Sequence, residues 1–110
     1  MIDQARIAEL VADFGDEDLG EIIEMFLAEA WEAMDALKLM LTEDGGEDLS
    51  AQFHFLKGCA RNVGATDFAD HCERLETGKE TFGPGEYQSL RSEFEAVCEF
   101  FSNDGLRRIA

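Results

Sequence analysis

Proline is almost missing from this chain: a single one, Pro84, stands among 110 residues, so little in the sequence forbids long helices. Basic residues are scarce too. Nine Lys and Arg face 25 Asp and Glu, a formal charge of −16, and such a surface repels phosphate backbones and anionic headgroups at every approach. Nucleic acid and membrane surfaces are thereby excluded as partners. The three cysteines, Cys59, Cys72 and Cys98, are an odd set without CxxC spacing, and no apolar export segment opens the chain. Free thiols in a reducing cytoplasm are expected, and no metal site. No apolar run approaches the roughly 18 to 20 residues that cross a bilayer. No glycine-rich nucleotide loop or P-loop occurs, which excludes an autonomous kinase.

What is present is helical periodicity. With 45% hydrophobic residues, the chain is expected to form one domain over 1–110, burying roughly two thirds of its unfolded surface. Breaks at Gly15-Asp16, Gly45-Gly46, Gly64, Phe82-Gly83-Pro84-Gly85 and after Phe101 divide it. The spacing predicts a short helix over 3–13, a long one over 17–42, and further helices over 48–63, 66–79 and 86–102, before a tail at 103–110. At about 100° per residue, Ile22, Ile23, Phe26, Leu27, Ala30, Ala33, Met34, Leu37 and Leu41 share one arc of the long helix. Ala65, Phe68, Cys72 and Leu75 do so in the fourth, and Tyr87, Leu90, Phe94, Val97, Cys98 and Phe101 in the last. Four amphipathic helices with short connections predict an all-α fold, an antiparallel four-helix bundle over about 16–102 with a short additional N-terminal helix. Asp16 and Asp48 are predicted N-caps, and Gly64 a left-handed C-terminal stop.

The helix over 48–63 has two distinct faces. Leu49, Phe53, Leu56, Cys59, Ala60 and Val63 form its core side, and His54 lies almost diametrically opposite. On the outward face Ser50 precedes His54 by a turn, Lys57 and Gly58 follow by one, and Arg61 by two, each turn rising about 5.4 Å. Gln52 falls in the core arc without an evident reason. A mid-helix glycine is less favourable than alanine by about 1 kcal/mol, so Gly58 on an exposed face points to close approach by another molecule.

An exposed imidazole is largely neutral near pH 7, and the lone pair on one ring nitrogen makes it a reachable nucleophile. A phosphoryl group placed there brings about two negative charges, which a chain of this acidity must offset locally; Lys57 and Arg61 are the cations at hand. Phosphoryl transfer needs in-line positioning and charge stabilisation more than acid–base machinery, so the rest of the apparatus can belong to a partner. The bland readings are a solvated surface histidine, solubilising charges at Lys57 and Arg61, a tolerated helix glycine, and cysteines that only fill space in the core.

The run His54-Phe55-Leu56-Lys57-Gly58-Cys59-Ala60-Arg61-Asn62-Val63-Gly64-Ala65, followed by Phe68, Cys72, Leu75 and Glu76, resembles the signature of histidine phosphotransfer (HPt) domains. An HxLKG pentapeptide, a Gly-Ala pair and a CxxLE ending coincide over about a fifth of the chain. The resemblance implies that His54 accepts a phosphoryl group from a receiver-domain aspartate and hands it to another, that Lys57 steadies it, and that Gly58 clears space for docking. It implies that Mg²⁺ arrives with the receiver and that no cofactor is bound by the chain itself. It also implies docking on the histidine-bearing helix and the one before it, which brings in Met25, Ala28, Leu39 and Phe55 beside Ser50 and Arg61. Cys59 stands where a small hydroxyl residue is usual, and Arg61 where a small residue is usual.

The expectation is therefore a monomeric, free-standing cytoplasmic phosphorelay carrier whose partners are receiver domains of response regulators or hybrid histidine kinases. The alternatives are an adaptor or inhibitor that binds receivers without transfer, and a thiol or metal sensor built on the cysteines and His71.

Overall fold

The computed structural model describes residues 2–41 and 46–102, and the side chains of all of these except 16, 17 and 46–48. Among the described residues the regular structure is helical: α1 (Gln4–Met40), α2 (Gly46–Asn62), α3 (Thr66–Glu76) and α4 (Pro84–Ser102). One isolated antiparallel bridge joins Ile2 to Ala65. The all-α expectation is met, and the predicted break near residue 15 is a kink within α1. There Gly15 takes φ 78° and ψ 164°, a non-helical conformation open to a residue without Cβ, and the helices expected over 3–13 and 17–42 lie on either side of it as the two arms of α1. Five helical stretches result. Residue 42 lies outside the described residues.

Helix ends differ from expectation for local reasons. Asp3 caps α1, its carboxylate accepting from the amides of Ala5 at 3.0 Å and Arg6 at 3.4 Å. The side chains of the predicted caps Asp16 and Asp48 lie outside the described ones, and α2 begins at Gly46, so Asp48 sits within the helix rather than before it. The helix predicted over 66–79 stops at Glu76, where Thr77 donates its hydroxyl to the Glu73 carbonyl at 2.9 Å and Gly78 turns to φ 77°. The last helix starts at Pro84, ahead of the predicted 86, because a proline at the first helical position has no amide hydrogen to leave unpaired.

Helix α2 packs against both α1 and α3, and α4 against both α3 and α1. The core between them holds Leu19, Ile23, Met34, Leu37, Phe53, Leu56, Phe68, Cys72, Leu90 and Phe94, all but removed from solvent. Each large side chain so buried stabilises the fold by about 1.5–3 kcal/mol. Phe94 joins two helices to its own, with Trp31 edge-on at 4.8 Å and Phe68 tilted at 5.4 Å. Leu49, Cys98 and Phe101, expected in the core arcs, are only half-buried, since each lies near a helix end where fewer neighbours cover it.

Among the described residues no helix is long and apolar enough to cross a membrane.

Candidate functional site

The site is built on the turn between α2 and α3. Gly64 takes φ 77°, the Ala65 amide reaches back to the Ala60 carbonyl at 2.8 Å, and the Gly64 amide donates to Arg61 at 3.2 Å. These two bonds form a Schellman closure with Gly64 as its left-handed residue, as predicted. The N-terminal segment holds the turn from outside: the Asp3 amide donates to the Gly64 carbonyl at 2.6 Å, and Arg6 Nε to the Asn62 carbonyl at 3.3 Å. With the turn fixed, α3 returns alongside α2 and brings its last residue, Glu76, level with His54 and Lys57.

Glu76 joins the two. Its Oε2 lies 3.1 Å from His54 Nδ1, and its Oε1 lies 2.7 Å from Lys57 Nζ. The His54 side chain is 72% exposed, whereas that of Glu76 is 18% exposed and that of Lys57 12%. The outward-facing histidine is thus where the helical count placed it. Lys57 is not in open solvent, because its angle on α2 leans toward α3 and the α3 carboxylate draws the ammonium in.

The hydrogen bond from Lys57 is the main cause that holds the Glu76 carboxyl below the usual range; partial burial opposes this, and the bond with His54 adds to it. Glu76 is therefore an ionised, acceptor-only group near neutral pH. A ring nitrogen facing it must carry the proton, so Nδ1–H donates to Glu76 and Nε2 keeps the lone pair. No described residue hydrogen-bonds Nε2.

The remaining predicted residues fall around this cluster in different ways. Gly58 is exposed, and a Cβ built there would meet nothing within 4 Å, so no packing among the described residues requires glycine. Arg61 does not approach His54; its guanidinium lies 3.8 Å from Glu73 Oε1 on α3, with both side chains about half exposed. Met25 and Leu39 on α1 and Phe55 on α2 remain exposed at 63%, 64% and 43%, large apolar side chains that the fold leaves in water. Ser50 and Ala28 are exposed on the same two helices.

Glu76 and Glu73 carry no role in the sequence reading beyond the place of Glu76 at the CxxLE ending. That motif is the only signal that could have singled Glu76 out, since its contacts span two helices. His71, weighed with the cysteines as a possible metal or sensor residue, is buried and engaged by carboxylates: Nδ1 lies 2.6 Å from Glu93 and Nε2 lies 3.3 Å from Glu80. Glu80 also receives Arg74 at 2.9 Å, so the group ties α3, the connection after it and α4 together. Among the described residues no cluster of three or more His, Cys, Asp or Glu side chains is arranged to hold a metal ion. Burial, with smaller contributions from Glu93 and Glu76, pushes the Cys72 thiol up to about 12, far from a reactive thiolate.

An all-helical protein with a solvent-facing imidazole held by a carboxylate is suited to carrying a group on one ring nitrogen. The Hpt domain family matches residues 21–100, and the chain belongs to that family. It is 32% identical over 78 residues to the phosphorelay intermediate protein YPD1 of Candida albicans, covering 69% of this chain and 42% of that protein. The chain thus spans less than half the length of that relative. No solved structure matches it.

Proposed function

We propose that the chain is a phosphorelay carrier that takes a phosphoryl group from a receiver aspartate onto His54 Nε2 and passes it to a second receiver aspartate. The observation that carries this reading is the pairing of His54 Nδ1 with an ionised Glu76, which leaves Nε2 as the nucleophile. The Nε2 lone pair attacks phosphorus, the N–P bond forms, and the P–O bond to the aspartyl carboxylate breaks with the electron pair leaving on oxygen. The proton on Nδ1 stays, and Glu76 balances the positive charge that the ring acquires. Donation to the next receiver is the reverse.

Lys57 steadies the phosphoryl oxygens, and Gly58 leaves room for the receiver's active-site loops. Met25, Leu39 and Phe55 supply apolar docking area beside Ser50, and Mg²⁺ comes with the receiver rather than with this chain. The reading takes residues 1–110 as one HPt unit, an antiparallel four-helix bundle with a short N-terminal helix, working in the cytoplasm as a monomer without kinase activity of its own.

The test is incubation with a panel of phosphorylated, Mg²⁺-loaded receiver domains, followed by intact-mass measurement at alkaline pH. One phosphoryl group on the wild type and none on His54→Gln is expected. Stable receiver binding with no mass increase on the wild type would replace the carrier with an adaptor.

A further inference from the structure

We propose that Arg61 reads the phosphorylation state of the docking receiver, leaving Glu73 to pair with the phosphoryl group on the partner's aspartate. The proposal rests on the carrier reading for the identity of the partner. It begins from the cations of α2, which number two, Lys57 and Arg61. Lys57 is committed: it is nearly covered and sits 2.7 Å from Glu76. Arg61 is not. Its side chain is 55% exposed, and Glu73, itself 49% exposed, stands at 3.8 Å. An exposed pair at that separation contributes little, so the guanidinium can exchange partners at small cost.

Helix geometry lets it swing toward His54 once it leaves Glu73. Residues 54 and 61 are two turns apart on one face of α2, and helical side chains lean toward the N-terminus, which tilts Arg61 back over the intervening turn. That turn presents Gly58, which has no side chain of its own and where a Cβ would meet nothing within 4 Å, so residue 58 does not obstruct the guanidinium.

Chemistry supplies the reason for the exchange. A phosphorylated aspartate presents a charge of about −2 and several acceptor oxygens, and a chain with a formal charge of −16 repels it. A planar guanidinium can bind two of those oxygens in parallel, which an ammonium cannot. Release from Glu73 on docking therefore yields a stronger pairing only when the receiver is phosphorylated. An unphosphorylated receiver offers no such gain.

Binding can be separated from transfer in a His54→Gln background, where a phosphoryl mimic stays on the receiver. The titrant is a receiver identified by the mass assay, loaded with Mg²⁺ and beryllofluoride or with Mg²⁺ alone. The Arg61-containing protein is expected to prefer the beryllofluoride form, and Arg61→Ala to lose about tenfold in affinity for that form alone, the size of one charge-assisted contact. Arg61→Lys should recover part of the preference, and Glu73→Gln should increase it. Equal weakening of both forms by Arg61→Ala, or no effect on either, overturns the proposal, as does a preference untouched by the substitution. Thermal melts of each variant separate a docking effect from a merely structural pair. A wild type that takes no phosphate in the mass assay defeats the carrier reading; a wild type that takes it while Arg61→Ala keeps its preference defeats only this inference.

Discussion

At the scale of the residue, Glu76 connects His54 and Lys57, and its ionisation sets the hydrogen-bonding state of His54. Because folding lowers its proton affinity, its contribution to stability is present above the unfolded carboxyl value of about 4.3 and is lost as pH falls through the lower folded value. The stability difference between wild type and Glu76→Gln should accordingly shrink as pH is taken from about 6 to about 3, read as urea midpoints. The same substitution should slow phosphoryl capture by about tenfold, the size of one lost orienting bond, with ¹⁵N shifts of His54 reporting mixed tautomers. A stability gap that does not narrow in acid would show that Glu76 does not couple protonation to folding. Cys72, fully buried and pushed up to about 12, should resist thiol reagents in the native protein and react only on unfolding. Little of this was legible in the chain. His54 could be placed in solvent from spacing along its own helix, but Glu76 reaches it from another helix, and single-helix periodicity says nothing of such pairs.

At the scale of the element, two glycines of the same motif do opposite things. Gly64 holds φ 77°, and a Cβ there would stand 2.9 Å from the Asp3 carbonyl oxygen, so Gly64→Ala should destabilise by about 1–3 kcal/mol in chemical denaturation. Gly58 is in ordinary helix with open space around it, so Gly58→Ala should stabilise by up to about 1 kcal/mol. Single-turnover assays should find it slower in transfer all the same, the pattern of a residue kept for access rather than for folding. The stop at Gly64 could be read from sequence because a helix end needs a left-handed residue wherever the chain later goes. Its contact with Asp3 could not, because the two meet only once the first arm of α1 is in place. The arms of α1 were legible for the same reason as the stop at Gly64: Gly15 marked a break with helix on either side, and the backbone leaves helical geometry at that residue.

At the scale of the molecule, the formal charge of −16 is a long-range term that no single pair offsets. Screening it with about 0.5 M salt should relieve roughly 1 kcal/mol of self-repulsion, raising Tm by about 4 °C in differential scanning calorimetry. A Tm that falls instead would mean that attractive pairs such as Arg91 with Glu95 outweigh the repulsion. The N-terminal segment has a further consequence. Ile2 is bridged to Ala65, and Asp3 is bonded to Gly64, just beyond the end of α2, about 12 Å along that helix from His54 to Asn62. A receiver joined ahead of Ile2 through a flexible linker of about ten residues, which spans roughly 17 Å, would be delivered beside His54. Its effective concentration there would be in the millimolar range, turning an encounter between two molecules into an intramolecular step and giving a one-chain relay whose rate no longer depends on dilution.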